Sequence, residues 1–421
     1  MTYRPAKPKG FGKPKRQRRA LSHVGGRVQT EGDPSMCKVL STVMGGELDA
    51  DSARAHVHGF HAYPARMHPT LARRCVELLA PPKGSVLDPF CGSGTVLVEA
   101  RLAGRPSRGT DLNPLAVLLS QLKTYAATDR DLDGLVASAA RVAEHAESRR
   151  KERRGATKRY SQEDVRLFDP HVLLELDGLR QGLDDVGDYF AREALRLVFS
   201  AILMKVSRQT GDTSGPDVAP KRLATGYTIK LFERKAQELA RRMASFRSLL
   251  AKPLAPVTVS QGDARQLQDV ADASVDLALS SPPYAGTYDY VEHHRTRLRW
   301  LGLPIEGMEK TEIGARRHLE RLTLREATDR FSQEMTAVFH ALHRVLRQDG
   351  HAVLVIADSV VAGKPVWADP LIRRCAEDTG LRWLATASQV RPNFHGPSHR
   401  AFEKSPRREH TIVLVRPSAR V

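Results

Sequence analysis

The chain has 421 residues, 41% hydrophobic and 27% charged, which is the balance of a globular protein with ample material for a buried core and not that of a disordered chain. No apolar run approaches the roughly 20 residues that span a bilayer, and the N-terminus carries charge where a secretory leader would be apolar, so neither a membrane-spanning nor a secreted protein is expected. Lysine and arginine number 66 against 48 acidic residues, a formal charge of +18, and this excess favours a polyanionic partner.

In chain order, residues 1–35 come first as a basic arm, with Arg4, Lys7, Lys9, Lys13, Lys15, Arg16, Arg18 and Arg19 spaced by Pro and Gly. Such a composition cannot bury a core, and the arm is expected to be disordered alone, either following phosphates or serving only as a solubilising tail. An α/β pattern begins near residue 56. Ser85-Val86-Leu87 reads as a short strand ending in Asp88, followed by a glycine-rich turn and a helix over Val96–Ala103. A second strand ends at Gly109-Thr110-Asp111, with a helix from Pro114. Further strands read at Val257–Val259, Val275–Leu279, Ala352–Ile356, Trp383–Ala387 and Thr411–Val415, with a helix over Phe331–Arg347. The alternation predicts a mostly parallel, doubly wound sheet, an α/β fold of Rossmann-like type.

Between residues 125 and 254 the pattern turns to long helices, Leu132–Arg153, His171–Asp184, Ala191–Val206 and Thr228–Leu250, read as a helical insertion and a candidate DNA-contacting subdomain. The α/β unit is then residues 56–124 and 255–416. Segment 286–324 shows no clear period. Cys37, Cys75, Cys91 and Cys375 are too scattered for a zinc knuckle or a disulfide framework, which fits a reducing cytoplasm.

Asp88-Pro89-Phe90-Cys91-Gly92-Ser93-Gly94-Thr95 suits a tight strand-to-helix turn that a ligand can approach closely. It lacks the lysine and hydroxyl residue of a phosphate-binding loop and spaces its glycines differently from a dinucleotide fingerprint. Asp111 follows Asp88 by the roughly 20 residues expected of a ribose-binding acid. The turn resembles the S-adenosylmethionine motif of amino-group methyltransferases, of DNA and of some RNA. The resemblance implies S-adenosyl-L-methionine as cofactor, with Asp88, Phe90, Cys91, Gly92, Gly94 and Thr95 around its methionine part and Asp111 on its ribose. Asp263 and Ala264, in Gln261-Gly262-Asp263-Ala264-Arg265, would meet the adenine. Cys91 lies in the cofactor turn, outside the Pro-Cys context of a C5-cytosine nucleophile.

Ser281-Pro282-Pro283-Tyr284 follows the Val275–Leu279 strand, and two prolines, lacking N–H groups, end any ladder there. An aromatic amine is a poor nucleophile because its lone pair is delocalised into the ring. Acceptors on its hydrogens, the Ser281 hydroxyl and the Pro282 carbonyl, would localise that pair while Tyr284 stacks on the base, leaving a direct displacement at a sulfonium methyl. Ser-Pro-Pro-Tyr resembles the catalytic motif of DNA amino-methyltransferases, and its serine form is most similar to cytosine-N4 enzymes, although adenine-N6 enzymes carry it too. The segment His58–Pro69, with Tyr63 near the methionine end of the cofactor, and the segment from Gly286 to Arg295 resemble the same bacterial family. His58, His61 and His68 have no Cys or carboxylate beside them in sequence, so no metal is expected.

The resemblance implies a site-specific DNA methyltransferase acting on a flipped base in double-stranded DNA, cytosine N4 ahead of adenine N6, and a cytoplasmic, nucleoid-associated location. Phosphate contacts are expected from the basic arm, Arg149–Arg154 and the loop Lys205–Arg222. An RNA base methyltransferase and a catalytically silent nucleic-acid-binding protein of the same fold remain as alternatives. The target sequence and any partner restriction endonuclease are not legible. The insertion lies before the Asp263 strand, unlike the usual family arrangement, which leaves the target-recognition region unplaced.

Overall fold

A computed structural model of the chain describes residues 25–46, 48–49, 51–209, 222–391 and 400–418. The arm therefore lies outside the described residues up to 24, as does most of the loop between 205 and 222.

The strands are β1 (Gly25–Gly32), β2 (Val86–Asp88), β3 (Ser107–Asp111), β4 (Val257–Gln261), β5 (Val275–Ser280), β6 (Leu346–Ala357), the short hairpin strands β7 (Ser359–Val361) and β8 (Lys364–Val366), β9 (Arg382–Val390) and β10 (Arg408–Val415). The helices are α1 (Pro34–Gly45), α2 (Pro69–Leu79), α3 (Thr95–Leu102), α4 (Pro114–Thr124), α5 (Asp129–Lys151), α6 (Gln162–Leu167), α7 (Pro170–Asp184), α8 (Tyr189–Val206), α9 (Tyr227–Ser248), α10 (Tyr290–Leu301), α11 (Met308–Thr311), α12 (Arg316–Leu319), α13 (Leu324–Val345) and α14 (Ala368–Glu377). Each expected strand and long helix is present, with ends moved by a few residues.

Eight strands form one sheet in the order β1-β9-β10-β6-β5-β2-β3-β4. The run from β4 to β6 is parallel, and β10 is inserted antiparallel between β6 and β9. This is the Rossmann-like sheet that the alternation of elements predicts, with antiparallel pairing confined to one flank. From β2 the chain winds outward through β3 and β4, then returns to β5 on the other side of β2. The carboxyl ends of β2 and β5 thus sit side by side at the topological switch point, where open α/β sheets bind ligands.

Apolar side chains of β2, β5, β6, β9 and β10 pack on α1 and α2 on one face, and α13 and α14 cover the other. Caps fix several helix starts. Thr128 with Asp131 opens α5 and Thr323 with Glu326 opens α13, each as a reciprocal capping box.

Two expectations need correction. Residues 25–35, assigned to the arm, form β1 and the start of α1, and β1 pairs antiparallel with β9. Its side chains are largely exposed, so no apolar alternation marks it in sequence; backbone pairing orders it. Gly32, at φ +113°, allows this approach, because a Cβ there would lie 2.3 Å from the Leu384 carbonyl oxygen. The helices α5–α9, for their part, share a core with the α/β layer: Val98 of α3 and Leu115 and Leu119 of α4 cluster with Leu135, Leu176, Phe199 and Phe232. Trp300 of α10 joins that core, and its Nε1–H donates to Asp164 Oδ1 of α6 at 2.8 Å. The insertion is thus built into the fold beside the segment that follows Ser281–Tyr284. Among the described residues, no helix is long and apolar enough to cross a membrane.

Candidate functional site

A cleft of about 970 Å³ opens at the carboxyl ends of β2, β3, β4 and β5. It is lined by Tyr63, Asp88, Phe90, Cys91, Gly92, Thr95, Asp111, Asp263, Ala264, Ser281 and Pro283, among others. Sequence-predicted cofactor residues and half of the predicted catalytic turn therefore meet in one cavity. Gly94 serves from behind: at φ +80° it starts α3, and a Cβ there would lie 2.9 Å from Ser120 Oγ, so the turn closes only with glycine.

The turn is held by its own acids. Asp88 Oδ1 accepts from the Phe90 N–H at 3.1 Å and from Ser280 Oγ at 2.6 Å. Asp111 accepts from the Gly92 N–H at 2.8 Å and the Asn113 N–H at 2.9 Å. These bonds tie three strand ends to the loop and leave further lone pairs for a ligand. Asp263 is engaged differently: both its oxygens receive Arg265, with Nη2 at 2.6 Å, so it enters the cleft as half of an ion pair.

Burial dominates the electrostatics. It pushes Asp88 up to about 7 and Asp111 up to about 6. A cationic ligand beside them would recover the cost of burying the charged forms. Cys91 is buried, and burial together with the charges of Asp111 and Asp88 holds its thiol well above the usual range, which disfavours the thiolate.

The Asp88 shift makes a signed prediction. The folded carboxyl titrates near 7 against an ordinary 3.8, so its relative contribution to stability is complete below about 4 and is lost as pH rises through about 7. Buried histidines such as His58 and His61 are pushed down and act in the opposite direction, so the total pH curve does not isolate the effect. The readout is the difference in unfolding midpoint between Asp88→Asn and the unaltered chain without ligand. It should shift in favour of the asparagine variant between about pH 5 and pH 8. A difference independent of pH would show that the carboxyl is not held protonated.

A second cavity of about 1150 Å³ adjoins the first. The segment Tyr63–Met67, Thr95 and Ser281 line both. Tyr284 and Tyr288 line only the second, with Gln389, Arg391 and Glu409 opposite. Ser281 Oγ lies 3.4 Å from the Tyr284 hydroxyl. Pro282 is buried and is absent from the lining of both cavities, whereas Pro283 faces the first.

Sequence reasoning missed several neighbours. Tyr290 and Glu312 come from the segment with no readable period, and the Tyr290 N–H donates to Glu312 Oε1 at 2.5 Å at the edge of the first cavity. Arg391 directly follows β9 and Glu409 lies near the start of β10, strands whose apolar runs were legible while their polar ends were not. Glu99 of α3 also reaches His58 Nε2 at 2.7 Å, supplying to the histidine segment a carboxylate that its sequence neighbourhood lacks. His56 completes that group, and burial, ahead of the nearby Lys123 and Arg66, pushes His58 down.

Comparison with known proteins adds three findings. Residues 27–121 match the family N6_N4_Mtase, described as DNA methylase. The type II methyltransferase M.MvaI of Kocuria varians is 26% identical over 302 residues, which span 65% of this chain and 62% of that protein. The tRNA (guanine(10)-N2)-dimethyltransferase of Methanothermobacter thermautotrophicus is 44% identical over 64 residues, 15% of this chain and 19% of that one. The chain thus spans less than two thirds of the length of either relative.

Proposed function

We propose that this chain, which is similar to DNA amino-methyltransferases, methylates the exocyclic amino group of a base flipped out of double-stranded DNA, with cytosine N4 preferred over adenine N6. The observation that carries the reading is Ser281, the residue of the catalytic turn that lines both cavities.

The first cavity suits S-adenosyl-L-methionine. Its glycine turn gives backbone access, Asp88 and Asp111 offer carboxylate oxygens to an amine and to ribose hydroxyls, and Val291, Met308 and Ile313 offer an apolar wall. Asp263 and Ala264, which line the same cavity, would stand at the adenine end, and Tyr63 packs over Gly92. When bound, the cofactor supplies a methyl group on a positively charged sulfur.

The second cavity would hold the base. Tyr284 and Tyr288 offer aromatic faces, and Ser281 Oγ accepts a hydrogen from the amino group, drawing the nitrogen's lone pair toward the first cavity. Transfer of that methyl to the nitrogen would leave the bonding electrons on the sulfur, and the displaced amino proton would pass to water. The Pro282 carbonyl would be the second acceptor on the amino group.

Extruding a base costs a few kcal/mol, offset by phosphate contacts from a basic surface. Within Arg149–Arg154, Arg149 has Asp177 at 3.7 Å and Arg154 has Glu152 at 2.6 Å. Part of that run's charge is therefore neutralised, and its share of DNA affinity is smaller than the sequence suggests.

The decisive experiment is incubation with unmodified duplex DNA and cofactor carrying a tritiated methyl group, followed by identification of the labelled nucleoside. N4-methylcytosine is the expected product. The short match to a tRNA enzyme favours including tRNA as a second substrate, and label confined to tRNA would overturn the DNA reading.

A further inference from the structure

We propose that Arg66 holds the α-carboxylate of S-adenosyl-L-methionine, with Asp88 on the neighbouring ammonium, and so selects a cofactor whose amino-acid end is intact. This rests on the cofactor occupying the first cavity and adds a binding residue to that reading.

The cofactor carries an ammonium and a carboxylate on one carbon, so its site needs an acid and a set of donors side by side. The first cavity is rich in acids. Asp88, Asp111, Asp263 and Glu312 line it, and Arg66 is the one cationic side chain among the described residues that do so. Asp263 and Glu312 already have basic partners, Arg265 Nη2 at 2.6 Å and Arg317 Nη2 at 2.8 Å. Arg66 has no such counterpart. Its Nη1 donates to the His58 carbonyl at 2.6 Å, and among the described residues no carboxylate pairs with it. Nε and Nη2 bond nothing there, yet neither is sealed from accessible space.

The glycine turn is short of donors for this task, because most of its N–H groups are engaged within the protein. Phe90 donates to Asp88 at 3.1 Å, Cys91 to the Thr110 carbonyl at 3.0 Å, Gly92 to Asp111 at 2.8 Å and Gly94 to the Cys91 carbonyl at 2.7 Å. A guanidinium on the adjoining strip supplies what the turn lacks, since its planar fork matches a carboxylate.

Burying part of a guanidinium without an acid is unfavourable, and burial pulls the Arg66 pKa down. An anionic ligand removes that cost. The anchor is also preset: His58 is buried and tied through Nε2 to Glu99 Oε1 at 2.7 Å, so the carbonyl that receives Arg66 belongs to a fixed turn. Tyr63, on the same strip, packs over Gly92. Arg66 borders the second cavity as well, but that cavity has Arg391 as a further cation, whereas the first has none. This favours the cofactor's carboxylate over a nucleic-acid phosphate.

The test is calorimetry on the full chain with two ligands that differ by one group, S-adenosyl-L-methionine and its decarboxylated form, in which hydrogen replaces the carboxylate. The unaltered chain should bind the first roughly 10- to 100-fold more tightly. Arg66→Met should remove most of that preference, weakening S-adenosyl-L-methionine by a similar factor and leaving the decarboxylated ligand within about twofold. Arg66→Lys should fall between the two. If the methionine variant does not fold, the unaltered chain and the lysine variant carry the comparison. Equal affinity of the unaltered chain for both ligands would overturn the assignment. So would equal loss for both in the variants, which would mark Arg66 as a brace for the strip. Unchanged cofactor affinity with weakened binding of duplex DNA would overturn it in favour of a phosphate. The carboxylate preference and its loss in the variants, found in a chain that methylates no DNA, would uphold this assignment and sink the proposed function.

Discussion

Ser281→Ala is expected to lower kcat roughly 100-fold while leaving the affinity for S-adenosyl-L-methionine within about twofold, because it removes one preorganised polar contact to a group whose charge changes in the transition state. The hydroxyl sits where the two cavities meet, and its intramolecular neighbour at hydrogen-bond range, the Tyr284 hydroxyl, is at 3.4 Å. A contact of that length contributes little to folding, so the unfolding midpoint should scarcely move. Single-turnover rates at saturating cofactor, alongside calorimetry, give the measurement. A variant that transfers methyl at the normal rate would remove Ser281 from the chemistry and with it the proposed geometry.

Asp88→Ala should do the reverse. Loss of charge-assisted hydrogen bonds to the cofactor's amine is expected to weaken binding roughly 10- to 100-fold, with kcat largely restored at saturating cofactor. The stability of the ligand-free protein near neutral pH should change little, since two effects oppose. Ser280 Oγ loses its acceptor at 2.6 Å, and the fold no longer buries a carboxyl whose ionisation has been pushed up to about 7. Calorimetry and thermal unfolding separate the two. Equal loss of cofactor affinity in the Ser281 and Asp88 variants would mean that one shared distortion, and not a division of roles, explains both.

The parts legible in the sequence were those governed by local rules. Apolar runs of strand length, each followed by helical periodicity, gave the parallel sheet, and glycines before Thr95 marked the turn because few other residues adopt φ +80°. The turn from Ser281 was visible because consecutive prolines end a strand. What escaped was governed by pairing across long separations. β1 carries no apolar alternation and is defined by its partner β9. Arg391 and Glu409 become neighbours only because β9 and β10 pair antiparallel, and Glu99 meets His58 only because α3 packs beneath the histidine segment. Glu312 and Tyr290 come from a stretch of short helices whose burial follows no single period. The boundary drawn around the insertion was too sharp for the same reason: its apolar faces are completed by residues of α3, α4 and α10.

The strip from Tyr63 to Met67 is a party wall, with one side turned to each cavity. With donor and acceptor placed as proposed, any displacement of that strip by the first molecule to enter would be felt by the second, and the linkage would have the same size whichever binds first. A strip drawn by one ligand into the position the other needs would give cooperative assembly of the ternary complex. It equally gives a reason for products to leave together, since methylation changes the shape on one side and the charge on the other.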